Sequence, residues 1–155
     1  MTKLSWDQAK FDRCFPTTQN TILNGQYLLH HLPDIYPKTI NLIRRLSDEY
    51  EAVLRDYDVD VLILPTTSLN FVARRHGTRT GLSMEQIAPT VGLRANTVQF
   101  NATGHPAMSI PIGKAPAEED NSVMLPVGMQ IVGALWHDDK VLRVGHAWQR
   151  AFDWK

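Results

Sequence analysis

The sequence has one cysteine, no surplus of charge and no long hydrophobic run. Cys14 alone cannot form an internal disulfide or a thiolate metal cluster, which favours a reduced, intracellular chain. The longest aliphatic run, residues 61–64, is too short to cross a membrane. Lys and Arg (16) balance Asp and Glu (16), so the basic surplus typical of nucleic-acid binders is absent. We therefore expect a cytoplasmic protein with no membrane or nucleic-acid partner.

Sequence motifs of self-contained catalytic or cofactor sites are also missing. The chain has no Gly-x-Ser-x-Gly turn and no phosphate-binding glycine loop, and none of its six histidines has zinc-site spacing. We expect neither a metal nor a cofactor. Ser109 is predicted on a strand, in a structural role. The arginines of residues 74–79 are compatible with an anion site, but an exposed loop is favoured because the phosphate-loop pattern is lacking.

What the sequence does contain is the succession of helices and strands of an α/β layer. The apolar content of 43% is sufficient for a core. Residues 1–17 are predicted to be an irregular lead-in or a short helix. Apolar spacing then predicts a helix capped by Thr17 or Thr18 and a longer helix over residues 37–57 with one solvated charged face that includes Glu51.

A continuous aliphatic run over residues 60–65 follows the long helix and predicts a strand buried on both faces. Two strands over residues 107–112 and 123–134 are predicted to form an antiparallel pair, with Pro111 at an edge or a non-bonded position. Further helices are predicted at Ser83, over residues 95–103 with Gly104 as a left-handed end, and after a capping Asp138.

Two polar positions draw attention within these elements. Gln130 lies mid-strand beside Gly128, and a buried amide needs hydrogen-bond partners. We expect it to tie the sheet to a loop, with substrate contact as the alternative. Asn101 lies near a helix end, where a structural role is again favoured over a binding role. Thr66 and Thr67 follow a strand, where α/β sheets usually bind ligands.

Four stretches, taken in order, resemble the carboxyl-terminal part of the amidase signature family. They are Gly25-x-Tyr27 with the long helix and residues 57–67, then residues 96–113, residues 125–133 and the Asp-led last helix. The resemblance implies a mixed-sheet, helix-layered α/β fold. It also implies that residues 18–155 are the carboxyl-terminal segment of an amidase signature domain.

Members of that family hydrolyse amide bonds, and relatives supply ammonia for transamidation of charged tRNA. The resemblance implies a Ser–cis-Ser–Lys triad and a Gly/Ser-rich loop whose amides form the oxyanion hole. This sequence has no such loop, and none of its lysines lies in a matching context. We expect no catalytic residue here, an inactive chain, and a small-molecule amide as substrate if the full domain is present.

The resemblance also suggests four residues for one wall of a substrate pocket: Arg94, Thr97, Asn101 and Gln130. Thr97 matches a threonine common in the family. Arg94 stands about where the tRNA-dependent branch has an acidic substrate contact, which counts against glutamine as the substrate. The alternative is a non-catalytic binding or interaction module derived from an amidase, which self-associates through the surface that an incomplete sheet exposes.

Overall fold

The computed structural model describes residues 7–67, 94–117 and 121–153. These residues form five helices and three strands: α1 (Gln8–Asp12), α2 (Pro16–His31), α3 (Ile35–Asp56), β1 (Val61–Pro65), α4 (Val98–Thr103), β2 (Ala107–Pro116), β3 (Met124–Gly133) and α5 (Asp138–Ala151). The strands make one antiparallel sheet in the order β1-β3-β2. The α/β class and the predicted hairpin are confirmed.

The core lies where α5 packs on one face of the central strand and its β2 neighbour. Ile110, Met129, Ile131 and Val141 form the buried cluster, with Trp148 packed against it. Gly145 lies on the inner side of α5, where a Cβ would meet the flexible end of the Met108 side chain and displace it. The periodic apolar stripe of the last helix therefore covers a sheet face, as its spacing predicts.

Away from α5, the helix α3 packs on α4. Leu54 of α3, Phe100 of α4 and Val132 of β3 are buried, and the rings of Tyr50 and Phe100 lie 5.0 Å apart. Gly104 ends α4 with φ +82°, and its N–H donates to the Phe100 carbonyl. The predicted left-handed end is confirmed, since a glycine adopts this conformation without strain.

The burial predicted for β1 is wrong. Ile63 is 59% exposed. Among the described residues β1 pairs with β3 alone, so its other edge has no neighbouring strand. On the face that α5 covers, Val61 packs against the core cluster, whereas Ile63 is not buried. An aliphatic run indicates that a strand favours burial. It does not indicate whether other helices or strands are present to bury it.

The N-caps predicted for two helices are also wrong, because each lies a few residues after the observed cap. Phe15 and His137 are the N-caps of α2 and α5, and neither makes a side-chain cap hydrogen bond.

The strand predicted to end at residue 112 continues to Pro116. Pro111 is accommodated because β2 is an edge strand among the described residues, with a bulge between Pro111 and Gly113. The helix predicted at Ser83 and the arginine loop of residues 74–79 lie outside the described residues.

Candidate functional site

Thr66, just after β1, meets Ser109 of β2 and Gly128 of β3. The Thr66 N–H donates to the Gly128 carbonyl at 3.0 Å, and the Thr66 and Ser109 hydroxyl oxygens lie 2.6 Å apart in a hydrogen bond. A Cβ on Gly128 would lie 2.9 Å from both hydroxyl oxygens. The missing side chain at residue 128 therefore makes room for the hydroxyl pair.

Gln130 ties this end of the sheet to the turn over residues 94–97. Its side chain is buried, and its Nε2 donates to the Asn96 carbonyl at 2.6 Å. The Asn96 side chain in turn donates to the Pro65 carbonyl at 2.8 Å. The turn is thus fixed to the central strand and to the end of β1. Substrate contact by Gln130 stays a prediction.

The structure brings the other three predicted pocket residues to the same region. Arg94 is exposed, and its carbonyl accepts from the N–H groups of Thr97 and Val98 at 3.0 and 2.9 Å. Thr97 is half-buried, with its hydroxyl 3.3 Å from that carbonyl. Asn101 is exposed one helical turn later. Their roles in a pocket stay predictions.

A buried polar contact between α3 and the turn after α4 was missed by the sequence reasoning. His105 has a fully buried ring whose Nε2 lies 3.2 Å from Glu51 Oε1, within ion-pair distance but off the direction of a hydrogen bond. Its Nδ1 is hydrogen-bonded to the Thr103 hydroxyl at 2.8 Å. The ring also packs edge-on against Tyr50. His105 is therefore enclosed by α3 and the end of α4.

Glu51 also reaches the turn before α5. Its Oε1 accepts from the Leu135 N–H at 2.8 Å. The prediction that Glu51 lies on a solvated helix face is wrong, because its carboxylate has two partners distant in the chain. The charge pattern of α3 gave no signal of this, since Glu49 and Asp48 beside it are exposed.

The Ser109 hydroxyl and the Lys140 ammonium group have separate partners. Ser109 is paired with Thr66, whereas Lys140 donates to Asp60 at 2.6 Å and so lowers the pKa of that carboxyl group. Across residues 7–67, 94–117 and 121–153, no group of three or more His, Cys, Asp or Glu side chains is placed to hold a metal ion. No described helix is long and apolar enough to span a membrane.

The sequence also matches the family model described as Amidase over residues 6–142. This chain belongs to the amidase family. The match spans most of the chain, from α1 to the first turn of α5, and includes the Gln130 tie and the Glu51–His105 contact. The resemblance inferred from the four sequence stretches is confirmed.

Relatives of this amidase chain are considerably longer than the chain itself. It is 37% identical over 115 residues to "Uncharacterized protein in nthA 5'region" of Rhodococcus erythropolis, which covers 74% of this chain and 52% of that protein. It is 33% identical over 135 residues to a glutamyl-tRNA(Gln) amidotransferase subunit of Methylococcus capsulatus, which covers 86% of this chain and 25% of that protein. The chain thus spans from a quarter to about half of these relatives.

A solved structure supports the same assignment of the fold. The structure titled "Crystal structure of amidase" superposes with a TM-score of 0.61 at 28% identity. The superposition covers 88% of this chain and 28% of the solved chain. The helices and antiparallel strands described above are therefore part of an amidase fold.

Proposed function

We propose that this chain is the carboxyl-terminal portion of an amide-bond hydrolase and is inactive by itself. The observation that carries the proposal is the amidase family match over residues 6–142 in a chain that spans a quarter of the Methylococcus amidotransferase protein. The hydroxyl of Ser109 is bonded to Thr66, and Lys140 is bonded to Asp60. Neither arrangement resembles a serine activated by a lysine.

The role proposed for the chain is to supply one wall of a substrate pocket. Arg94, Thr97 and Asn101 lie on one turn and the helix that follows it, and Gln130 fixes that turn to the sheet through Asn96. Rigid placement of such side chains is what orientation of a bound substrate requires. The substrate class is a small-molecule amide, and Arg94 disfavours a substrate with a positive group at that position.

The test is an assay of the purified chain against simple aliphatic and aryl amides. We expect no turnover above buffer, and the same result for Ser109→Ala, because Ser109 has no base beside it in the described region. Turnover that is abolished by a serine-directed reagent contradicts the proposal. A chain that hydrolyses amides and loses this activity on Ser109→Ala contradicts it as well.

A second candidate is a non-catalytic interaction module, which a different feature favours. α2 exposes several large apolar side chains: Leu23 at 58%, Tyr27 at 61% and Leu29 at 58%. Apolar side chains grouped on one helix are typical of a protein-protein contact. Sedimentation velocity distinguishes the two, because self-association that Leu23→Asp removes favours the module, and a monomer at all concentrations counts against it.

A further inference from the structure

Arg94, Val98 and Asn101 lie on one side of α4 and the turn before it, a surface that we name the 94–101 face. The Val98 N–H donates to the Arg94 carbonyl at 2.9 Å, so the turn already has helical spacing. Positions four and seven residues after Arg94 therefore lie on the same side of the helix as Arg94. Phe100, which is off this side, is buried, and its ring lies 5.0 Å from that of Tyr50 in α3. The 94–101 face thus points away from the contact between the two helices.

The backbone beneath this face is held by the sheet. The buried side chain of Gln130 donates to the Asn96 carbonyl at 2.6 Å, and the Asn96 side chain donates to the Pro65 carbonyl at 2.8 Å. The turn is therefore tied to β3 and to β1. A backbone that is already ordered loses little freedom when a ligand binds, which favours binding.

The charge of the 94–101 face comes from Arg94, since no other Arg, Lys, Asp or Glu occurs between residues 94 and 104. Arg94 is exposed, and the ion pairs within the part of the chain that the structure describes connect other groups. A guanidinium group binds a carboxylate through two parallel hydrogen bonds. The group that fits Arg94 is therefore a carboxylate of a ligand.

The other two side chains of the face add an apolar group and an amide. Val98 is 55% exposed, which leaves it available for contact with an aliphatic chain. Asn101 is exposed, and its amide both donates and accepts hydrogen bonds, as a substrate amide does. At the helical rise, Arg94 and Asn101 are about 10 Å apart along the axis. The face therefore presents a cation, an aliphatic group and an amide in that order.

We propose that the 94–101 face binds the substrate of the proposed hydrolase, and that this substrate is an aliphatic amide with a carboxylate at the end remote from the amide. Arg94 binds the carboxylate, Val98 contacts the aliphatic chain, and Asn101 hydrogen-bonds the amide. This inference rests on the proposed function and narrows its substrate from a small-molecule amide to an anionic one. A simple inorganic anion fits less well, because it occupies Arg94 alone.

The test is a titration of the full 155-residue chain with adipamic acid, which carries an amide and a carboxylate at opposite ends of an aliphatic chain. Backbone amide chemical shifts in NMR spectra report binding. We expect shifts at residues 94–103 and millimolar dissociation constants, because a small ligand on an open face has few contacts. Adipamide, in which a second amide replaces the carboxylate, and inorganic phosphate are expected to bind at least ~3-fold more weakly. High salt reduces the preference for adipamic acid over adipamide, because it screens an exposed ion pair.

Matched variants locate the charge that is responsible. Arg94→Gln is expected to remove the preference, so that adipamic acid and adipamide bind within about twofold of each other. Arg94→Lys keeps the charge but not the paired hydrogen bonds and retains part of the preference. Arg150→Gln, at an exposed position of α5, makes the same change in net charge and leaves the preference intact. Circular dichroism of the three variants verifies that the fold is retained.

Several results overturn the proposal. They are equal binding of adipamic acid and adipamide by the parent chain, phosphate that binds as tightly as adipamic acid, shifts that leave residues 94–103 unchanged, and a preference that Arg150→Gln removes as well as Arg94→Gln. The proposed function is tested separately, by turnover. Hydrolysis of amides by the chain alone contradicts that function, whereas the preference for a carboxylate is decided by binding.

Discussion

Glu51 Oε1 lies 3.2 Å from His105 Nε2 and accepts a hydrogen bond from the Leu135 N–H at 2.8 Å. One carboxylate oxygen thereby connects α3 to the turn after α4 and to the turn before α5. The ring of His105 is fully buried, so its nitrogen has no access to water as a substitute partner. The contact joins segments that the sheet alone does not hold together.

Removal of this carboxylate is expected to destabilise the chain. Glu51→Ala leaves the Leu135 N–H without its acceptor and removes the carboxylate beside His105 Nε2, and we expect a loss of about 1–3 kcal/mol in the free energy of unfolding. Glu51→Gln retains an acceptor for Leu135 and loses less. Urea denaturation measures both. The control is Glu49→Ala on the same helix, whose surface pair with Arg45 contributes at most about 1 kcal/mol. Equal losses at the two positions contradict the prediction.

A side chain at residue 128 is expected to break the hydroxyl pair at the end of β1. The Cβ of Gly128→Ala meets the Thr66 and Ser109 hydroxyls at 2.9 Å, and overpacking of this kind costs about 1–3 kcal/mol. Combination with Ser109→Ala removes one of the two close contacts, so part of the stability returns. Gly25→Ala has open space around its Cβ within α2 and is expected to stabilise by about 0.5–1 kcal/mol. Thermal unfolding is measured for the parent, Gly128→Ala, the double variant and Gly25→Ala. A double variant that regains no stability relative to Gly128→Ala contradicts the predicted overlap.

The tie between β3 and the 94–97 turn is expected to depend on the amide of Gln130. Gln130→Met keeps the volume but leaves the Asn96 carbonyl without its donor, at a cost of about 1–3 kcal/mol. Faster hydrogen exchange is expected at the amides of Thr97 and Val98, measured by mass spectrometry. Gln149→Met, at an exposed position of α5, is the control and changes neither quantity. Unchanged exchange in the Gln130 variant contradicts the tie.

The ion pair between Asp60 and Lys140 predicts a pH dependence. The hydrogen bond from Lys140 lowers the pKa of Asp60 in the folded state. The contribution of Asp60 is therefore present above the pKa of the unfolded chain and is lost as pH falls through the lower, folded value. Asp60→Asn is expected to be less stable than the parent at neutral pH, with the difference shrinking as the pH falls below about 4. Urea unfolding from about pH 7 to about pH 3 measures this, and the exposed variant Asp48→Asn serves as the control. A stability difference between the parent and Asp60→Asn that grows as the pH falls contradicts the prediction.

The main elements of the fold were predictable because their signals are local. The apolar stripe of α3 and that of α5 follow the helical period, and the left-handed position of Gly104 follows from its place after a helix. Two strands joined by a polar connection predict a hairpin without knowledge of anything else in the chain. Each of these features depends on residues close together in the sequence.

The candidate site was predictable in part. The polarity of Gln130 in an apolar strand indicated a tie to a loop, and the structure identifies its partner as the Asn96 carbonyl. The Glu51–His105 contact had no signal, because Glu51 differs from its exposed neighbours only in what α3 packs against. The caps of α2 and α5 were misplaced because residues with good capping side chains lie one to three positions after the observed N-caps.

The sequence by itself determined the order of the main helices and strands, the face of the last helix that covers the sheet, and membership of the amidase family through its four stretches. Only the tertiary structure decided which groups meet across the chain: Glu51 with His105, Thr66 with Ser109, and Gln130 with Asn96. It also decided that Ile63 is exposed despite an aliphatic run that favours burial. The reason is physical: periodicity and capping act over one or two turns, whereas burial depends on which other elements are present to cover a surface.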